Sequence, residues 1–453
     1  MTQWWFRKAN VLAWGCLALL VLPGRAVWSQ PQTNLQDSAS SGEPSHLQVP
    51  PPVSGQAYST AFEGQAESNY LRTGISFTGA YSNDVNGGSQ PVGSSSFSVW
   101  PTIELHRETY RANLMLSYSP GFTFYQNASA LNQANHNLGF HLQYRLSPYL
   151  SANFHESFSR TSNIFDQPNP LSATSVSGTV PAPGVAVIVP TANQISNATS
   201  AEFAYQVSET GMVGASGSYS KFDYLNQSQT AGLFDSQSAG ASAFYSTRLR
   251  ERYYVGTSYQ YSNFLSYQSG FPSTRTQTQA VFLFVTIYLK PTLSFSVSAG
   301  PQHYSSVQAP LPQAASWQPL TMASVSWRGE RATLAASYSR SVNGGGGLNG
   351  TFQSNSAGLS LGWRATRDWT ADITGTYSNY KSLTPNSYVS SSGGHTIAGT
   401  VSLQRTLNTN LSFQFGYSLA HQTYANVEVA ANSPNISRAF VTLSIHFDRP
   451  LQR

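Results

Sequence analysis

The stretch ADITGTYSNY, residues 371–380, places an apolar or small residue at every second position until it reaches Tyr377-Ser378. Trp369, Ala371, Ile373 and Gly375 share the parity of Tyr377, while Thr370, Asp372, Thr374 and Thr376 share the other. Alternation of this length predicts a β-strand with one apolar and one polar face. The same pattern precedes Tyr118 (Ala112, Leu114, Leu116), Tyr338 (Ala332, Leu334, Ala336) and Tyr417 (Leu411, Phe413, Phe415).

The pair itself recurs. Tyr-Ser stands at 81, 118, 219, 261, 304, 338, 377 and 417, with Phe158-Ser159 in the widest gap, and most intervals run from 34 to 43 residues. A repeat near that length fits either four short strands per propeller blade or two long strands per hairpin. The unbroken alternation favours the hairpin. Nine or ten residues before most pairs lies a short polar turn, among them Arg107-Glu108, Ser147-Pro148, Arg250-Glu251 and Arg367-Asp368. Ten residues rising ~3.3 Å each and tilted ~40° span roughly 25 Å, the height of the lipid-facing band of a membrane barrel. Tyr81, Tyr118, Phe158, Tyr219, Tyr261, Tyr338, Tyr377 and Tyr417 all have apolar-face parity, as expected of an aromatic girdle at the headgroup level. Tyr304 breaks the pattern, falling on the polar parity of its strand.

The chain opens with Arg7-Lys8 and an apolar run from Val11 to Leu22, followed by small residues. This reads as a signal peptide over 1–29, since the run is too short to span a bilayer. Cys16, the only cysteine, lies inside it, so no disulfide or thiol is expected in the remainder. Of 24 basic residues, three leave with this segment, and the remaining 21 face 19 acidic ones. That near-neutrality argues against a nucleic-acid partner. With only 9% of residues charged and 13% aromatic, the composition suits a surface facing lipid better than one facing water. Residues 30–69 lack periodicity and read as a flexible periplasmic arm.

Eighteen strands are predicted between residues 70 and 447, with sixteen as the alternative count. Tight turns alternate with longer polar connections throughout. The fold class is therefore an all-β transmembrane antiparallel up-and-down barrel, with short periplasmic turns and longer extracellular loops. In the final strand Val441, Leu443, Ile445 and Phe447 share one face. That strand resembles the terminal signal of porins, and residues 70–447 as a whole resemble an outer-membrane porin-type barrel in pattern. The resemblance implies residence in the outer membrane, contact with its lipid, and recognition by the outer-membrane assembly machinery. The six residues 448–453 depart from the usual ending at Phe and read as a short periplasmic tail.

Polar-parity positions are expected to line an aqueous lumen, because a barrel this wide is not filled by its own side chains. Candidates are Arg72, Glu104, Arg111, Asn113, His141, Arg145, His155, Glu202, Asp372 and Gln414. Arginines gather toward the short turns, which favours neutral or weakly anionic solutes. Pairing Arg145 with Ser151 makes His141 and His155 cross-strand neighbours, and without a third ligand in view they read as polar lining rather than a metal site. Glu156 has lipid-facing parity, so either a bulge turns it inward or the register changes there. The insertion 164–199 is the third extracellular loop, with Asp166, Val185, Val187 and Val189 as constriction candidates; the porin resemblance implies that this loop folds into the barrel, while its apolar run also suits burial on a partner and its length also suits a loose outer loop. Serine is too common here for any Ser-His-acid grouping to stand out, so no enzyme and no cofactor are expected. The reading is a passive channel for small polar solutes. A polysaccharide export barrel, with periplasmic export partners engaging residues 30–69, and a structural membrane anchor are the alternatives.

Overall fold

In a computed structural model of the chain, the described residues are 69–85, 91–161, 193–225, 233–290, 292–344, 347–383, 393–424 and 435–451. The signal segment and the 30–69 arm lie outside them, except Asn69. Eighteen strands follow in order: β1 (Asn69–Ser82), β2 (Ser94–Glu108), β3 (Ala112–Tyr125), β4 (Gln133–Arg145), β5 (Leu150–Thr161), β6 (Gln194–Gln206), β7 (Gly211–Tyr224), β8 (Asp235–Arg250) and β9 (Tyr253–Gln268). The second half comprises β10 (Phe271–Lys290), β11 (Leu293–Gln308), β12 (Ala314–Arg328), β13 (Ala332–Asn343), β14 (Phe352–Arg364), β15 (Trp369–Ser382), β16 (Gly393–Asn408), β17 (Leu411–Tyr424) and β18 (Asn435–Pro450).

Every strand pairs antiparallel with its neighbours in sequence, and β1 pairs with β18 from Tyr70↔Pro450 to Ser82↔Arg438. The sheet is therefore a closed barrel, which leaves no open edge. Closure is made on the inner face by Ser76···Ser444 at 2.8 Å, Thr78···Thr442 at 2.9 Å and the ion pair Arg72–Asp448 at 2.6 Å. Hydroxyl pairs of this kind cross other seams too, as at Ser216···Ser242 and Thr400···Ser418. Each contributes about 0.5–1.5 kcal/mol net, so the polar parity stabilises the wall while keeping it hydrophilic.

The outer parity is apolar and exposed: Phe77, Val281, Leu283, Phe415 and Val441 project away from the barrel. Among the girdle residues Tyr81, Tyr118, Tyr219, Tyr338, Tyr377 and Tyr417 are exposed, while Phe158 and Tyr261 are half-buried on the same face. Val441, Leu443, Ile445 and Phe447 likewise line the outside of β18. A further Tyr-Ser, at 245, also faces outward, five residues from the short-turn end of β8, so the pair by itself does not mark one rim.

Three sequence expectations are corrected. The strict alternation of connections fails between β9 and β10, where only Ser269 and Gly270 separate the strands at the end that otherwise carries the long loops. Gly270 takes a positive φ of 85°, which a tight hairpin needs, and the ladder shifts register around Pro272, which has no N–H to give it. β10 consequently runs for 20 residues, about twice what a bilayer crossing requires. Glu156 needs neither bulge nor slip: Phe140↔Glu156 and His141↔His155 lie in one continuous register. Its carboxylate faces outward and accepts hydrogen bonds from Asn197 Nδ2 and Thr199 Oγ1. Finally, residues 194–199 of the presumed third loop belong to β6, and β18 runs on through 448–450 of the presumed tail.

Candidate functional site

The candidate site is the inner wall, and its two halves differ. On β8 to β11 nearly every inward side chain is buried, including Ser238, Ser262, Phe264, Thr276, Thr278 and Phe282. On β1, β4, β5 and β15 most inward positions keep partial exposure, as at Ser76, Thr78, His141, Asn153, His155, Asp372 and Thr374. The accessible part of the inner wall is therefore the second half.

Two devices bury the first. Near the short turns an apolar belt, Met212, Phe244, Tyr254, Phe282, Phe284, Leu320 and Met322, crosses β7 to β12 on the inner face. Its rings lie flat against the wall because glycines face them: Phe284 pairs with Gly256 and Phe244 with Gly214, and a Cβ at either glycine would overlap the ring. At the opposite end the β13–β14 connection turns into the lumen. Thr274 Oγ1 donates to Asn349 Oδ1 at 2.7 Å, Thr276 and Thr351 share a hydroxyl bond at 2.6 Å, and Thr351 Oγ1 donates to Ser306 Oγ at 2.7 Å. Gln302 brackets Val342, accepting from its N–H at 2.9 Å and donating to its carbonyl at 3.4 Å. Phe234 N–H donates to the Gly347 carbonyl at 2.9 Å, and Leu348 and Phe234 are each 1% exposed. The inward parity of Tyr304 follows: it lies between Gln302 and Ser306, on the stretch of β11 that receives this connection rather than lipid.

The sequence-predicted residues that the structure describes fall into three groups. Arg72 belongs to the seam, held by Asp448 and, at 3.5 Å, by Glu104, with its guanidinium 4.9 Å from the Tyr70 ring centroid. Tyr70 Oη also donates to Glu104 at 3.3 Å. Arg111 is corrected from wall to turn: it precedes β3, is exposed, and its carbonyl accepts the N–H of Arg145, which is the exposed last residue of β4. A parity count carried one residue too far into a turn produces that error. Asn113, His141, His155, Glu202, Asp372 and Gln414 lie on the inner wall. Asn113 Oδ1 is 3.2 Å from His106 Nε2, the His141 and His155 rings are 6.3 Å apart, and Gln414 Nε2 donates to Ser402 Oγ at 3.0 Å. Glu202 is 1% exposed, and neither carboxylate oxygen meets a donor among the described residues. Asp166, Val185, Val187 and Val189 lie outside the described residues.

The β13–β14 connection and its platform were missed. GGGGLNG carries no hydrophobic run, and the platform reads as ordinary hydroxyl lining. The available signal was β10 itself, where AVFLFVTIY is apolar on both parities although one face of a pore strand should be polar.

No family model matches the chain, and no curated protein matches it. Among solved structures it is similar to OpdO from Pseudomonas aeruginosa, at 12% identity over 84% of this chain and 97% of that one, with a TM-score of 0.38. The ferric citrate transporter FecA in its unliganded form matches at 12% identity over 84% and 79%, TM-score 0.41. The siderophore receptor PirA from Pseudomonas aeruginosa matches at 12% over 83% and 80%, TM-score 0.37.

Proposed function

We propose that this chain is an outer-membrane channel for passive diffusion of small polar solutes, neutral ones first and weakly anionic ones second. The observation that carries the reading is the closed barrel with an apolar outside and a partly exposed inner wall of hydroxyl and amide groups along β1, β4, β5 and β15. Charge selectivity is weak because Arg72 is neutralised by Asp448 and Glu104, while Arg111 and Arg145 stand at the short turns. The β13–β14 connection narrows the passage from one side. Residues 164–193, with Val185, Val187 and Val189, form a second candidate constriction by sequence. Orientation follows the loop asymmetry, with the short turns periplasmic.

Reconstituted vesicles test the reading by osmotic swelling in neutral sugars of graded size. Swelling that is fast for monosaccharides and falls with size supports the channel. Swelling at the rate of protein-free vesicles contradicts it and leaves a membrane anchor.

A further inference from the structure

Four adjacent strands carry a row of soft and borderline metal donors on the accessible wall. His106 on β2 pairs with Met115 on β3, Met115 with His141 on β4, and His141 with His155 on β5. All four side chains are half-buried and face the lumen. Neighbouring strands are ~4.8 Å apart, so each side chain reaches the next. Met115 is out of place among Asn113, Ser117 and Ser119, its inward neighbours on β3. A thioether contributes little to a hydroxyl lining, whereas between imidazoles it completes a donor set.

We propose that Met115, His141 and His155 form a binding site for a soft monovalent metal cation, Cu(I) or Ag(I), in the wall of the channel. The imidazole rings of His141 and His155 stand 6.3 Å apart with 63° between their planes. With metal–nitrogen bonds of ~2 Å and each ring nitrogen ~1 Å from its centroid, two imidazoles on opposite sides of one ion have centroids about 6 Å apart. His155 Nδ1 is buried and meets no partner among the described residues, which leaves a ring nitrogen for the ion. His106 is oriented differently, with Nε2 turned to Asn113 Oδ1 at 3.2 Å and its ring 5.4 Å from that of Tyr70, so it flanks the site.

The donor set also selects the metal. Among the described residues no three His, Cys, Asp or Glu side chains come together, which leaves no tetrahedral or octahedral cage for Zn(II) or harder ions. Two imidazoles and a thioether suit ions that accept low coordination and sulfur. The proposal deepens the channel reading by giving the passage a site with chemical preference.

The test uses the full chain carrying Cys16→Ser, refolded in detergent and titrated anaerobically with Cu(I) against a chromogenic chelator. One equivalent is expected to bind, with at least tenfold weaker binding in Met115→Leu and in His155→Asn. Met212→Leu, which alters a methionine in the buried belt, should bind as the parent does. Heat-modifiable migration of each variant on gels establishes that its barrel has formed. Absence of binding by the parent, unchanged binding by both site variants, or equal competition by Zn(II) overturns the proposal. Sugar swelling of the same preparations reads the channel function separately, so failure of one is not failure of the other.

Discussion

At the scale of single residues, the side chains that matter most are those whose neighbours remove a choice. Gly256 is one: any Cβ there meets the Phe284 ring and the Tyr245 carbonyl. Gly256→Val should therefore force the ring off the wall and destabilise the barrel by about 1–3 kcal/mol, the usual cost of overpacking, measured as a lower denaturant midpoint in detergent. An unchanged midpoint would show that Phe284 has another place to go. Arg72 and Asp448 make a contrasting case, because both are partly exposed at the mouth of the barrel. A double-mutant cycle of Arg72→Gln with Asp448→Asn should give a coupling below ~1 kcal/mol that shrinks with added salt, as solvent screens such pairs. A large, salt-insensitive coupling would mean that the seam depends on charge rather than on its hydroxyl ladder and backbone.

At the scale of elements, parity made most of the barrel readable. A strand between lipid and water must alternate, and alternation is local, so β15 or β17 can be recognised without knowing its partners. The girdle residues followed for the same reason. What escaped was set by contacts between elements distant in sequence. Nothing in SVNGGGGLNGTF announces that Thr351 will meet Thr276 and Ser306, and a two-residue hairpin at Ser269-Gly270 was hidden by a Ser-, Gly- and Pro-containing stretch that also suits a longer loop. Glu156 escaped because its partners, Asn197 and Thr199, come from β6 across a 32-residue gap. The inward connection carries its own prediction. Burying Leu348 and Phe234 contributes roughly 1.5–3 kcal/mol each toward docking the connection on the wall, alongside its hydroxyl bonds. Replacing Leu348 with Asp should release the segment and raise single-channel conductance, with the barrel still heat-modifiable. Unchanged conductance would place the segment clear of the ion path.

At the scale of the whole molecule, the sheet closes with an even number of strands, an apolar exterior and an interior divided into a covered and an accessible half. The division ties the fold to the proposed function. The apolar belt on its glycine-backed wall and the inward β13–β14 connection build the covered half, and the accessible wall is that of β1, β4, β5 and β15. Cysteine accessibility during conduction tests this most directly, since the chain with Cys16 replaced holds no other thiol. Thr374 is on the accessible half, whereas Thr278 is 2% exposed on the covered one. In planar bilayers, a charged methanethiosulfonate should lower the conductance of Thr374→Cys within seconds and leave that of Thr278→Cys unchanged. Equal modification of both, or channels that never open in the parent, would contradict the account.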